Sequence, residues 1–243
     1  MKKIDLADVT FVMPVRFDSI VRLENALAVV NFLHRNFDTN IFVLEAASHN
    51  NAVFKTLMKN KIRYFYLEDH DIIFHKTRYI NILTQKVNTP FMSIWDADVI
   101  ADKDQIFESV EILRKEDADV SYPYDGSFLD TSDVIRALYL AKKRIKLLHD
   151  NICYMQAIYG YNMFGGAILM NTEKYSQAGL DNENFYGWGN EDYERQYRFS
   201  ALKYKILRSK GPLYHLSHPR DLNGMFRSEK QQKWTSNYLK NIY

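Results

Sequence analysis

The sequence predicts an α/β protein with a mostly parallel, Rossmann-like central sheet flanked by helices; two observations predict it and a third narrows it. Short apolar runs alternate with amphipathic stretches through the first half of the 243 residues, the pattern of successive β-α-β units. The apolar runs are apolar nearly throughout rather than at alternate positions, as strands covered on both faces should be. Residues 1–125 contain no glycine. This excludes the glycine-rich turns of the dinucleotide-binding fingerprint and of the P-loop, because both need glycine for close backbone approach to phosphate.

The first strand is expected at residues 9–15. A helix over 20–33 follows, where Ile20, Leu23, Leu27 and Val30 recur at helical spacing. A strand at 41–45, a helix at 51–59, a strand at 62–67, a helix at 76–87 and a strand at 91–95 complete the run. Pro14, Pro90 and Pro123 fall at strand ends, where a missing backbone donor does least harm. Over residues 132–148, Val134, Leu138, Ala141, Ile145 and Leu148 describe one helical face, with Arg136, Lys142, Lys143, Arg144 and Lys146 distributed elsewhere. A solvated basic face is the default reading of those charges; contact with the phosphates of a lipid-linked acceptor or with a membrane surface is the other. Residues 225–243 read as a closing helix that packs Trp234, Tyr238 and Leu239 on the domain.

Composition narrows the partners. Lys and Arg total 32 against 30 for Asp and Glu, a formal charge of +2, so the chain has no general field for attracting nucleic acid. Any anion-binding charge must be local. Cys153 is the only cysteine, which excludes an intramolecular disulfide, fits a reducing compartment and reads as a buried small apolar residue. Asp5 and Asp8 stand where a signal peptide needs its apolar core, and no run is apolar enough to span a bilayer; a cytoplasmic location, with peripheral contact at the inner face of the membrane, is expected. The length fits one domain, residues 1–243.

Three segments carry candidate chemistry. Asp96-Ala97-Asp98 follows the strand at 91–95 directly, and ligands of open α/β sheets bind outside the carboxyl ends of strands. An Asp-X-Asp tripeptide alone also reads as a turn with Asx capping, but carboxylates at the end of a buried strand need a cation partner, and a hard divalent metal would supply it. Six of the nine glycines fall between Gly160 and Gly189, so tight turns and backbone contacts to a ligand concentrate there. Within that stretch Gly187-Trp188-Gly189 presents an aromatic ring on a glycine-framed loop, a platform for the apolar face of a sugar. Asn190 is placed to cap a helix that starts with Glu191 and Asp192, where acidic residues also complement the helix dipole. Lastly, His215 and His218 lie three apart after an expected strand, and mixed N and O ligands suit manganese.

These segments, with Phe164-Gly165-Gly166-Ala167, occur in an order and spacing that resembles the β-1,4-galactosyltransferases and their relatives, the polypeptide N-acetylgalactosaminyltransferases and bacterial chondroitin polymerases. The resemblance runs from about Val12 to Arg220 and implies the GT-A fold, with a nucleotide-binding half (1–125) and an acceptor-binding, catalytic half (126–243). It implies Asp98 as a metal ligand with His218; the galactosyltransferases have a methionine ligand three residues earlier, where this sequence departs with His215, so His218 or His215 completes the expected site. Asp96 resembles the aspartate that contacts the ribose or donor sugar. Asp192 resembles the catalytic base, Glu191 its neighbour on the sugar hydroxyls, and Trp188 the residue that moves with the substrate-covering loop. Pro14-Val15-Arg16 resembles the nucleotide-contacting end of the first strand, and Lys76 and Arg78 are placed to face the base or the diphosphate. Met163, before the Phe-Gly-Gly motif carrying Gly165 and Gly166, stands where donor choice is set, and its size does not exclude an N-acetyl group.

The implied activity is a metal-dependent, inverting glycosyl transfer. Mn2+ or another divalent cation would serve a UDP-sugar donor such as UDP-Gal or UDP-GalNAc, with a glycan or lipid-linked glycan acceptor, as in polysaccharide biosynthesis. Two rivals are a non-catalytic sugar-nucleotide-binding module and a sugar-phosphate nucleotidylyltransferase. The second normally requires a glycine-rich loop after the first strand, and Met13-Pro14-Val15-Arg16-Phe17-Asp18 has none.

Overall fold

The structure, a computed structural model, describes residues 2–158, 160, 162–187, 189–219, 233–234, 236–238 and 240. It opens with β1 (Ile4–Val15), α1 (Ile20–Asn36), β2 (Phe37–Ala47), α2 (Val53–Leu57), β3 (Arg63–Glu68), α3 (Lys76–Thr84) and β4 (Phe91–Trp95). There follow β5 (Val99–Ile100), α4 (Lys103–Arg114), β6 (Val120–Tyr122), β7 (Phe128–Asp130), α5 (Asp133–Lys142) and α6 (Ile145–Asp150). A 3-10 turn (Ile152–Tyr154) leads to β8 (Gln156–Ala157), β9 (Ala167–Asn171), α7 (Thr172–Gln177), α8 (Glu191–Ala201), β10 (Ile206–Arg208) and β11 (Leu213–His215).

All four expected strands form, and β1 and β2 run beyond their expected limits. Seven strands make the main sheet in the order β10-β6-β9-β4-β1-β2-β3. Pairing is parallel throughout except at β9, which runs antiparallel to both β4 and β6. Phe11, Val12, Met13, Met92, Trp95 and Val43 are fully buried, as continuous apolar strands require. The chain leaves β1 toward β2 and β3 on one side and later places β4 on the other. The carboxyl ends of β1 and β4 therefore diverge around a crevice, the switch point at which such sheets bind ligands. A smaller sheet, in the order β5-β11-β7-β8, lies along this end.

The helices depart from expectation for local reasons. The α2 helix is cut to five residues because the Asn50 and Asn51 side chains take the backbone N–H groups of Ala52 and Val53, the competition with helix that asparagine offers. In α1 the buried face is Ala26, Val29, Val30 and Leu33, while Ile20 is 69% exposed. The helix expected over 132–148 is two helices, broken where Lys143 turns left-handed at φ 53°. Its expected buried stripe is largely outside: Val134, Leu138 and Ala141 are exposed, and Ile135, Arg136 and Tyr139 face inward. Cys153 is exposed rather than buried. Of the closing helix, the described residues are helical, and Trp234 and Tyr238 stack on each other and pack edge-on against Phe185; Leu239 lies outside the described residues. No helix among the described residues is long and apolar enough to cross a membrane.

The entry to β9 fixes how the two sheets meet. Gly166 sits at φ 84°, and a Cβ there would lie 2.7 Å from both Leu213 and Phe128, so the position excludes any side chain on two counts. We expect Gly166→Ala to cost about 2–4 kcal/mol, a fall in melting temperature of roughly 5–15 °C; a melting curve matching wild type would contradict this account of the junction.

Candidate active site

Two backbone hydrogen bonds hold the Asp96-Ala97-Asp98 segment. The Asp96 N–H donates to the Gly166 carbonyl (2.8 Å), and the Leu216 N–H donates to the Asp98 carbonyl (2.7 Å). The segment is thus tied to the start of β9 on one side and the end of β11 on the other. Its side chains face a cleft of about 370 Å³ whose walls also include Pro14, Arg16, Phe74, Met163, Gly165, Gly166, Glu191, Asp192, His215 and His218.

On one wall Asp98, His215 and His218 converge. His218 Nε2 lies 3.0 Å from Asp98 Oδ2, His215 Nε2 lies 3.3 Å from His218 Nε2, and His215 Nε2 lies 3.9 Å from Asp98 Oδ2. Ligand atoms bound at about 2.1 Å to one ion, at angles of about 90–130°, lie about 3.0–3.8 Å apart. Two of the three separations fall in that range and the third lies just beyond it, so these oxygen and nitrogen atoms could hold a divalent cation between them. Each ring is oriented by its other nitrogen: His215 Nδ1 on Asp130 Oδ1 and His218 Nδ1 on the Pro219 carbonyl, both at 2.8 Å. A carboxylate or carbonyl behind a ligating imidazole fixes which nitrogen faces the ion. Burial alone would raise the Asp98 carboxyl, but the His218 hydrogen bond and the neighbouring imidazoles hold it well below the usual range. Burial works in the opposite sense on His215, and its bond to Asp130 with the charge of Asp98 raises it nonetheless.

The other wall is acidic. Lys76 Nζ lies 2.9 Å from Asp96 and 3.6 Å from Glu191, and although burial disfavours its charge, Asp96, Asp192 and Glu191 keep it protonated. Asp192 takes a 2.8 Å hydrogen bond from Arg195 on Oδ1. Its Oδ2 sits over Gly165, where a Cβ would approach to 2.7 Å, so glycine leaves the room this oxygen occupies. Arg195 is itself buried and forks onto both oxygens of Asp181 at 2.7 Å. Asp181 takes a further bond from Tyr175 (2.7 Å), and its N–H donates to Asn81. A satisfied buried network of this kind holds the Asp192 carboxylate in one orientation. Glu191 is 9% exposed; burial, with the charge of Asp192, pushes its carboxyl up to about 7 against the pull of Lys76.

The remaining expected residues are placed unevenly. Arg16 reaches the cleft, but its guanidinium donates to the carbonyls of Ala46, Asp71 and Ile72 and so builds the wall of the loop after β3. Lys76 is in the cleft, bound to carboxylates. Arg78 is not: it stands on the exposed side of α3, outside the lining. Met163 is buried in the wall, under the Tyr193 hydroxyl. Asn190 occupies the cap position of α8 but is left-handed (φ 72°) and makes no side-chain cap bond. Gly187 and Gly189 line the cleft with left-handed φ of 94° and 98°; Trp188, between them, lies outside the described residues. Arg195, Asp181 and Asp130 were not expected. Arg195 carried one signal, its position three residues after Asp192 on the same helical face; Asp181 and Asp130 carried none, because only the fold brings them near.

A sequence model of the family described as Glycosyltransferase like family 2 matches residues 12–237. No curated protein sequence matches the chain significantly. Among solved structures, the catalytic domain of Drosophila β1,4-galactosyltransferase 7, in complex with xylobiose, is similar with a TM-score of 0.60 at 16% identity, over 94% of this chain and 79% of that one. Staphylococcus aureus TarS 1–349, in complex with UDP-GlcNAc, is similar with a TM-score of 0.63 at 11% identity, over 96% of this chain and 66% of that one. Glucosyl-3-phosphoglycerate synthase from Mycobacterium tuberculosis, with Mn2+, UDP and phosphoglyceric acid, gives 0.57 at 13% identity, over 96% and 76%. At these identities the likeness establishes the α/β architecture of GT-A glycosyltransferases, with its mostly parallel sheet.

Two outcomes follow from the geometry. Titration of Mn2+ followed by electron paramagnetic resonance should register an ion on the wild type, none on Asp98→Ala, and at least tenfold weaker binding on His215→Ala and His218→Ala; equal affinity in all four proteins would separate these side chains from any shared ion. Glu191 gives the second. Its carboxyl rises on folding from 4.5 to about 7, so between those values the folded protein binds more protons than the unfolded chain, and this group's contribution to stability falls as pH rises through the interval. In cation-free buffer Glu191→Gln should therefore melt higher than wild type at pH 8, by on the order of 2–3 kcal/mol, and level with it near pH 4. A constant difference across that range would rule the titration out.

Proposed function

The chain belongs to glycosyltransferase-like family 2, and on that premise we propose a metal-dependent, inverting hexosyl- or N-acetylhexosaminyltransferase that takes a UDP-sugar as donor and a glycan hydroxyl as acceptor. The observation that carries this reading is the facing of two groups across one cleft: Asp98, His215 and His218 on one wall, and the tethered Asp192 over Gly165 on the other. Asp98, His215 and His218 would hold a divalent cation such as Mn2+, which neutralises charge on diphosphate oxygens when bound. The Mn2+ and UDP of the mycobacterial synthase and the UDP-GlcNAc of TarS support that pairing. The resemblance of the Phe164-Gly165-Gly166 and Gly187-to-Asp192 segments to the galactosyltransferases supports a galactose-type donor.

Asp192 accepts the proton of the acceptor hydroxyl while that oxygen attacks the anomeric carbon. The bond from this carbon to the diphosphate oxygen breaks on the opposite face, and the configuration inverts. Arg195 fixes the Asp192 oxygen it bonds and leaves the other turned to the cleft, so the base is aimed before the acceptor arrives. Glu191 and Asp96, gathered around Lys76, offer acceptors to the hydroxyls of the donor sugar or ribose. Pro14, Arg16 and Phe74 form the nucleotide end of the cleft, with Arg16 acting through the carbonyls it holds. Met163 borders the donor position and leaves room for an N-acetyl group. In this reading residues 1–125 supply Pro14, Arg16, Phe74, Lys76, Asp96 and Asp98 to the donor, and 126–243 bring the base, both histidines, Glu191, Met163 and the acceptor side. Polysaccharide or lipid-linked glycan is the acceptor class this reading carries.

Turnover and binding separate the roles. Asp192→Asn should lower turnover of the UDP-sugar by about 10²- to 10⁴-fold, the usual worth of a positioned base, while calorimetric UDP affinity in Mn2+ stays within about twofold. Undiminished turnover would remove Asp192 from the base role. Affinity for UDP without turnover of any donor in the wild type would leave a binding module.

A further inference from the structure

The rotation of α5 is set by a buried cation. Arg136 Nε donates to Asn25 Oδ1 (2.8 Å), and its Nη2 donates to the Val21 carbonyl (3.0 Å) and to Glu24 Oε2 (2.7 Å). Asn25 in turn donates to the Leu216 carbonyl (2.8 Å), inside the segment that carries both histidines. Leaving Arg136 unpaired in this environment would cost several kcal/mol, so the helix is pinned to α1 with Ile135, Arg136 and Tyr139 inward. The pinning leaves an apolar stripe facing water: Val134 (69% exposed), Leu138 (44% exposed) and Ala141, spaced as one helical face. Large aliphatic side chains held outward at regular spacing are unusual in a protein that could bury them.

The charge that adjoins the stripe identifies its partner. Lys142, Lys143 and Arg144 follow Ala141 directly and are all exposed. The left-handed Lys143, whose carbonyl is held by Arg35 at 3.0 Å, ends α5 there and turns the chain into α6. In the turn after α6, Ile152 and Tyr154 are also exposed, Tyr154 by 72%. A helix with aliphatic residues on its outer face and basic residues at its end has the composition of a segment that lies in the plane of a bilayer surface. We propose that α5 and the basic turn after it form a docking face for an anionic phospholipid membrane. The face begins beside the catalytic cleft, because Thr131, next to the cap of α5, bonds both the His215 carbonyl (2.9 Å) and the Ser217 N–H (3.1 Å). Docking would hold the cleft at the height of acceptors carried by the membrane, and the binding itself does not depend on catalysis.

Co-sedimentation with large unilamellar vesicles tests this. The wild type should bind vesicles of phosphatidylglycerol and phosphatidylethanolamine at 0.1 M salt and pass through vesicles of phosphatidylcholine alone. Each basic residue near an anionic surface is worth roughly fivefold in affinity, so K142Q/K143Q/R144Q should bind about a hundredfold more weakly. V134S/L138S, which leaves the charge unchanged, should lose about tenfold or more. Both variants should keep the wild-type circular dichroism and melting temperature, since neither touches the inward face. Absence of wild-type binding to the anionic vesicles, or binding by either variant equal to wild type, would overturn the proposal. So would a wild-type dimer that V134S/L138S dissociates without any vesicle binding, which would make the stripe a contact between copies of this chain.

Discussion

The site depends on where three residues of backbone are held. Asp96 to Asp98 leave the main sheet at β4 and are bonded at one end to Gly166 and at the other to Leu216. Each bond joins the segment to a different sheet, so both sheets share one short piece of chain. Two carboxylates one residue apart then point into different surroundings, Asp96 toward Lys76 and Asp98 toward the histidines. The same residue type is thereby given two electrostatic environments about one residue apart, which is how neighbouring carboxylates come to take different roles.

Buried cations orient the surroundings. Arg195 connects Asp181, deep in the domain, to Asp192 at the cleft, and Arg136 connects α5 to α1 and through Asn25 to the segment after β11. Both guanidinium groups donate to carboxylate, amide or carbonyl oxygens, the kind of pairing under which a buried charge is tolerated. Arg16 acts the same way at the other end of the cleft, holding the Ala46 carbonyl of β2 and the Asp71 carbonyl of the loop after β3 rather than offering a free charge. Arginine here builds the walls, and acidic and imidazole groups line the cleft between them.

How much of this was legible in the sequence follows from range. Residues 91–98 were legible because a strand's apolar run and the carboxylates that end it are adjacent in the chain. The start of α8 was legible for the same reason, although Asn190 turns left-handed and leaves its side chain out of the cap. The pairing of His215 with Asp130, and of Arg195 with Asp181, joins residues that sequence spacing cannot relate. The phase of α5 was misread for a different cause. Its apolar positions form one good stripe, and hydrophobic periodicity assigns the better stripe to the interior; here the ion-paired Arg136 outweighs it and turns that stripe outward. Arg78 failed similarly, since a basic residue near an acidic motif in sequence stands on the far side of its helix.

The order of strands in the smaller sheet bears on how the protein is made. β11 lies between β5 and β7, so a chain emerging from the ribosome has both outer partners long before it has the strand that joins them. The parallel half of the main sheet can collapse early from neighbouring β-α-β units, whereas the smaller sheet must wait for residues 213–215 and then close contacts reaching back more than a hundred residues. Closures of that span are slow. Until then Asp98 and Asp130 remain without the imidazoles they face in the finished fold, and the cleft is completed only after residues 213–218 have emerged.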